Sequence, residues 1–159
     1  MILSVGELSA RKNHRVVIEA LQHLPEDFWY VIIGRGQLEK ELRELDKTGR
    51  LVLLGYRTDI VDLLHISDVF VFPSRQEGLP VALMEALSCG IACYASKIRG
   101  NVDLLDQDYL FDFTSPYEVE KVLLNIEVDK DSLCRKSSLE NSFDISYINK
   151  NMTEIYENV

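Results

Sequence analysis

The order of apolar and helical patterns predicts an α/β chain, a doubly wound parallel sheet with helices at its C-terminal end. Three observations predict it. Strand-like and helix-like segments alternate, the strand-like runs are apolar throughout, and loops bearing glycine or cations follow them. A run without a polar face suits a strand covered on both sides, and the alternation is that of β–α–β units.

The β-rich runs are Ile2–Val5, Trp29–Ile33, Leu51–Leu54, Val69–Phe72, Ile91–Tyr94 and Tyr109–Phe111. Helical periodicity occupies 14–24, 37–47, 59–66 and 80–89, with a short helix near 101–105. Asn13 is expected to cap the first helix, and Thr58 or Asp59 the third. Ser115-Pro116-x-Glu118 reads as a capping box with proline at the first helical position. From 115 to 159 only helical patterns remain, ending in an amphipathic stretch from Tyr147 to Glu157. A length of 159 residues without an internal linker is expected to form one domain, 1–159, with a real core.

A formal charge of −9 argues against a nucleic-acid partner, whose backbone such a chain repels. No apolar run approaches a membrane span, and the opening residues do not resemble a signal peptide. Cys89, Cys93 and Cys134 are odd in number and lack metal-ligand spacing; reduced thiols in a cytoplasmic chain are expected.

Ligands of open α/β sheets bind outside the carboxyl ends of the strands. The loop after the first strand, Gly6-Glu7-Leu8-Ser9-Ala10-Arg11-Lys12, brings two cations beside a helix start, which suits a phosphate. Gly34-Arg35-Gly36, Gly55-Tyr56-Arg57 and Pro73-Ser74-Arg75-Gln76-Glu77-Gly78 follow the next three strands. Glycines in such loops let backbone approach a ligand, although they serve plain turns equally. Glu77 and Glu85 bracket Glu77-Gly-Leu-Pro-Val-Ala-Leu-Met-Glu85, in which Pro80 is placed to start a helix that is apolar nearly all round. Glu85 is its one charge. Buried, it would need a hydroxyl, cation or water as partner; on an exposed face it would need none.

Ile2-Leu-Ser-Val-Gly-Glu-Leu…Lys12-Asn13, Val31-Ile-Ile-Gly-Arg-Gly36, Val52-Leu-Leu-Gly-Tyr-Arg57, Asp68-Val-Phe-Val-Phe-Pro-Ser74 and Glu77-Gly-Leu…Glu85-Ala-Leu-Ser-Cys-Gly90 occur in that order. Together they resemble the C-terminal, donor-binding half of the retaining GT-B glycosyltransferases of family 4, over about residues 2–106. The two-glutamate segment with its flanks is the specific part. Arg99-Gly100-Asn101 and the Arg-Lys-Asn-His wording are similar to the branch that builds bacterial capsular polysaccharides and exopolysaccharides.

The resemblance implies a Rossmann-like half of a GT-B fold that binds a nucleotide-diphospho-sugar, of UDP type. Glu77 then orients the transferred sugar, Lys12 contacts the diphosphate, and Glu85 accepts hydrogen bonds from the ribose hydroxyls. Gly78 and Leu79, with Pro80 and Val81, place backbone at sugar and distal phosphate; Gly6 and Gly34 line the donor, and Arg57 lies by the nucleobase. Many members carry arginine where this chain has Glu7, so either Arg11 takes its place or the site relies on Lys12 and the helix dipole. The resemblance further implies no cofactor and no metal, retention of anomeric configuration, and an acceptor, sugar or lipid-linked, held by an N-terminal domain that has no counterpart here. The full-length enzyme is then cytoplasmic, with peripheral association at the inner membrane face. Two other readings fit the residues: a non-catalytic donor-binding subunit of a split transferase, and an interaction module of receiver type. The latter needs an aspartate cluster after the first strand, which Val5-Gly6-Glu7 does not provide.

Overall fold

The computed structural model describes residues 1–126. Six parallel strands run in the order β3-β2-β1-β4-β5-β6: β1 Ile2–Val5, β2 Tyr30–Ile33, β3 Leu51–Gly55, β4 Val69–Phe72, β5 Ala92–Ser96 and β6 Leu110–Phe111. The helices are α1 His14–Leu21, α2 Glu39–Leu45, α3 Ile60–His65, α4 Val81–Ser88 and α5 Pro116–Leu124. The expected fold class is the one found.

Apolar strands divide their side chains between two cores. Ile2, Tyr30, Ile32, Val69 and Val71 meet Val17, Ile18, Leu42, Val119 and Leu123, the faces of α1, α2 and α5. Leu3, Val31, Ile33, Phe70 and Phe72 meet Leu64, Leu83, Ala86 and Leu87, the faces of α3 and α4. Alternate residues of one strand therefore serve opposite layers, as the pleat requires. Strand order reverses between β1 and β4, so the chain leaves β1 for one layer and β4 for the other. A crevice opens at that switch point, on the carboxyl side of the sheet.

Several local expectations fail for identifiable reasons. Asn13 occupies the N-cap position of α1, but in left-handed backbone (φ 54), and its side chain makes no cap bond. Asp59 precedes α3 without capping it, because Arg57 binds its carboxylate, donating from Nε at 2.7 Å and also from Nη2. That hydrogen bond lowers the Asp59 carboxyl pKa and raises that of the Arg57 guanidinium. Ser115 does cap α5, accepting from the Glu118 N–H at 3.2 Å, but the Glu118 carboxylate reaches the Asp112 N–H at 2.7 Å, not that of Ser115. Pro80 stands at the N-cap of α4 and not inside its first turn. The segment 101–105 forms turns held by Asn101, not a helix; the buried Asn101 amide donates to the Ser96 carbonyl at 2.9 Å. Cys93 is buried and Cys89 half-buried. Cys134 and the Tyr147–Glu157 stretch lie outside the described residues.

A buried polar chain lies beneath α1. His14 Nδ1 is 2.9 Å from the Tyr30 hydroxyl, which donates to Ser4 Oγ at 2.9 Å, and Ser4 donates in turn to the Val71 carbonyl. Three contacts need three protons, so Nδ1 carries the imidazole hydrogen. Burial, reinforced by the positive charge of Lys12, pushes the His14 pKa down to about 4 from its ordinary 6.5, and burial raises that of the Tyr30 phenol.

The folded protein thus holds His14 neutral where the unfolded chain would already be protonated. Stability is full above pH 6.5 and falls as pH drops from 6.5 towards 4, by up to about 1.4 kcal/mol per unit. Urea denaturation of the wild type and His14→Phe at pH 7, 6 and 5 measures this. The wild-type curve should fall more steeply; parallel curves would mean that His14 is protonated in the fold.

Candidate functional site

The loops after β1 and β4 face each other across the switch-point crevice. Arg75 N–H donates to the Arg11 carbonyl at 2.8 Å, which fixes the two loops in register. From the first loop Lys12 reaches Glu77 on the second, Nζ to Oε1 at 2.8 Å. The pair is mostly shielded, with side chains 13% and 7% exposed. The Lys12 ammonium also sits 4.8 Å from the Phe72 ring centroid, a cation–π contact supplied by the last residue of β4. Its stem lies along Gly6, where a Cβ would stand 3.1 Å from Lys12 Cδ. Any larger residue at position 6 crowds the lysine's route into the crevice.

Arg11 approaches the same carboxylate from the rim. Its Nη1 is 3.4 Å from both Glu77 oxygens and 3.4 Å from the Gln76 carbonyl, and its side chain is 49% exposed. Two cations therefore share one carboxylate.

The loop after β2 serves structure. Gly34 has φ 152, and a Cβ there would stand 1.8 Å from the Gly6 carbonyl oxygen, so only glycine lets the two loops touch. Leu8 N–H donates to the Arg35 carbonyl at 3.0 Å and Leu38 N–H to the Leu8 carbonyl at 3.1 Å. The closeness expected of Gly34 towards a ligand is spent, at this position, on bracing the cation-bearing loop.

Beyond Glu77 the chain passes Gly78, Leu79 and Pro80 into α4. Val81 N–H turns back to the Leu79 carbonyl at 2.9 Å and so does not point into the crevice, contrary to expectation. The Gly78 and Leu79 N–H groups have no partner among the described residues, and both residues are exposed. Along α4, Leu83, Ala86 and Leu87 are buried, while Val81, Glu85 and Ser88 form an exposed stripe. The helix is not apolar all round in its burial. Glu85 is a solvent-facing carboxylate and not a buried charge in want of a partner. Arg57 is exposed at the end of β3, paired with Asp59. Beside it Tyr56 is 71% exposed.

Glu77, Lys12, Arg11, Gly6 and Gly34 are thus brought together, with Gly78 and Leu79 adjoining. The sequence reading missed Phe72 and the side chain of Asn13 as members of this neighbourhood. The signal for Asn13 was present: asparagine tolerates left-handed backbone, and it directly follows the lysine. Asp106-Gln107-Asp108 has the spacing of an Asp-x-Asp pair, but it lies before β6, and no group of three ligating side chains assembles among the described residues. A cavity of about 750 Å³ between β5, β6 and α5, lined by Tyr94, Tyr109 and Lys121, contains none of the predicted site residues.

The family described as glycosyl transferases group 1 matches residues 1–138. A UDP-Gal:alpha-D-GlcNAc-diphosphoundecaprenol alpha-1,3-galactosyltransferase of Escherichia coli is 39% identical over 115 residues, 66% of this chain and 30% of that protein. The amylovoran biosynthesis glycosyltransferase AmsK of Erwinia amylovora is 34% identical over 122 residues, 67% of this chain and 30% of that one. The chain spans about 30% of the length of these relatives. Anabaena Alr3699/HepE, crystallised in complex with UDP, superposes with a TM-score of 0.84 at 20% identity, over 99% of this chain and 49% of that one. That likeness is one of fold, the Rossmann-like half of a GT-B architecture.

Removal of Lys12 leaves a shielded carboxylate facing only a rim arginine. Lys12→Ala is expected to lower stability by about 1.5–3 kcal/mol, and adding Glu77→Ala to restore part of it, because the orphaned charge is gone. Urea denaturation of the two single variants, the double variant and the wild type measures the coupling. Strictly additive losses would show that the two side chains do not depend on one another.

Proposed function

Because the chain belongs to the group 1 glycosyl transferase family, we propose that it is the donor-binding part of a glycosyltransferase, taking a nucleotide-diphospho-sugar of UDP type. One observation carries the reading: Lys12 and Arg11 converge on Glu77 at the switch point, beside the open Gly78 and Leu79 N–H groups. Two cations, two N–H donors and one carboxylate match a ligand that combines a diphosphate with sugar hydroxyls.

In this reading the distal phosphate competes with the Glu77 carboxylate for Lys12 and Arg11, and Glu77 turns to the sugar hydroxyls. Negative charge builds on that phosphate as the bond to the anomeric carbon breaks. The ammonium, the guanidinium and the two N–H groups are already in place to stabilise it. Cationic side chains then fill the part a divalent metal plays elsewhere, so the transfer proceeds without one and with no cofactor. Glu77 is a positioning group, the leaving phosphate accepts the acceptor's proton on the same face, and configuration is retained. Glu85, on the outward stripe of α4, takes the ribose hydroxyls; as an exposed carboxylate it exchanges water for a diol and needs no rescue from burial. Arg57 and Tyr56 border the nucleobase.

The acceptor side of the reaction belongs to a second, acceptor-binding half, and the activity of the E. coli relative points to a lipid-diphosphate-linked sugar as acceptor class. Bacterial surface-polysaccharide assembly is the corresponding setting, with the complete enzyme working at the cytoplasmic face of the membrane. Among the described residues no helix is long and apolar enough to cross one.

The 159-residue chain should bind UDP and, alone, transfer no sugar. Lys12→Ala should weaken UDP binding about 10–150-fold, the loss of one charged contact, and leave uridine binding nearly unchanged. Glu85→Gln should weaken UDP more than its 2′,3′-dideoxy analogue. Calorimetric titration reads the affinities, and incubation with a UDP-sugar and an acceptor reads the transfer. Intact UDP binding by Lys12→Ala would move the phosphate site towards Arg35 and Arg57, equal losses for the two nucleotides would take Glu85 off the ribose, and transfer by the chain alone would refute the donor-only role.

A further inference from the structure

Asn13 is the only non-glycine residue with positive φ among the described residues, at 54. It is also buried, 4% exposed, although it stands in a loop. Left-handed backbone alone would be served better by glycine, which adopts it without a Cβ penalty. The amide must therefore supply something that glycine cannot.

Its three polar contacts show what. Asn13 Nδ2 donates to the Pro73 carbonyl at 3.2 Å and to the Phe113 carbonyl at 2.9 Å. Oδ1 accepts from Arg75 Nε at 3.1 Å. One side chain thus ties together the loops that follow β1, β4 and β6. Both of its N–H protons and its carbonyl oxygen are used. The ties to Pro73 and Arg75 run parallel to the backbone bond from Arg75 N–H to the Arg11 carbonyl. Lys12 lies between the two tied residues of the first loop, and Glu77 lies two residues beyond Arg75 in the second.

We propose that Asn13 is a positioning residue of the donor site: its amide clamps the cation-bearing loop to the carboxylate-bearing loop, and so holds Lys12 where a diphosphate meets it. The inference rests on the donor reading of the site. Asn13 touches no substrate in this account; it acts through Lys12. The left-handed turn directs the lysine stem over Gly6 and into the crevice, while the amide below keeps the opposing loop from drawing away. Without the clamp the ammonium remains present but must be ordered by the ligand, and a contact that was pre-organised becomes one that costs affinity.

Asn13→Gly is the informative variant, because it retains the backbone conformation and deletes only the amide. Calorimetric titration of the wild type, Asn13→Gly, Lys12→Ala and the double variant with UDP and uridine tests the proposal. Asn13→Gly should lose about tenfold in UDP affinity and less than about twofold for uridine. In the Lys12→Ala background the same substitution should cause no further loss of UDP affinity, since the residue through which it acts is gone. A merely structural role would weaken both ligands and persist in that background. Wild-type affinity for UDP in Asn13→Gly, or an undiminished loss on top of Lys12→Ala, would overturn the proposal. Wild-type protein that failed to bind UDP would overturn the donor reading itself, and the clamp's role with it. If circular dichroism shows Asn13→Gly unfolded at the titration temperature, Arg75→Ala is read instead. That change on the exposed side of the clamp should also weaken UDP only while Lys12 is present, and unaltered UDP affinity would overturn the proposal.

Discussion

The ion pair between Lys12 and Glu77 joins the two halves of a sheet whose connections diverge on either side of it. After β1 the chain turns towards the layer of α1, and after β4 towards that of α4, so the loops at the switch point have no helix packing in common. What links them is polar. A shielded carboxylate needs a cation within hydrogen-bond reach, and the lysine needs a route to it. Gly6 leaves room for the stem, Phe72 lies beneath the ammonium, and Gly34 allows the neighbouring loop to brace the turn. Each is intelligible as a condition for that one contact.

In the proposed function the same pair accounts for an acidic ligand on an acidic chain. At −9 the protein as a whole repels anions, and long-range steering works against a nucleoside diphosphate. Within the crevice the local balance is reversed, because Arg11 and Lys12 share a single carboxylate. Glu77 pairs with both cations, and in the proposed function it is the group that a phosphate would displace. Short-range, partly shielded charges then dominate over the screened field of the distant surface. An exposed Arg11 beside a shielded Lys12 gives the site one adaptable cation and one fixed one.

Strand positions were legible in the sequence because apolar runs covered on both faces leave little choice of assignment, and Tyr30–Ile33 and Val69–Phe72 are buried throughout. That the loops of Lys12 and Glu77 lie at one end of the sheet was legible through the rule that ligands bind beyond the carboxyl ends of strands; their direct ion pair was not. Caps were less so. Asn13, Asp59 and Glu118 are good capping residues by type, yet each found a stronger partner brought near by tertiary structure: two carbonyls and Arg75 for Asn13, Arg57 for Asp59, the Asp112 N–H for Glu118. Whether Glu85 is buried or exposed was not legible, because an apolar sequence does not by itself bury every face of a helix. In α4, one layer of core is met by Leu83, Ala86 and Leu87, and nothing among the described residues covers Val81, Glu85 and Ser88. The glycines after β2 looked like room for a ligand, and Gly34 is instead room for another loop.

A crystal structure of this chain with UDP bound tests the central claim most directly. The account predicts the distal phosphate at the switch point, with an oxygen within hydrogen-bond distance of Lys12 Nζ and of the Gly78 or Leu79 N–H, and Glu77 no longer the lysine's sole anionic partner. UDP lodged elsewhere on the molecule, with the Lys12–Glu77 contact still at 2.8 Å and no phosphate oxygen near it, would contradict it.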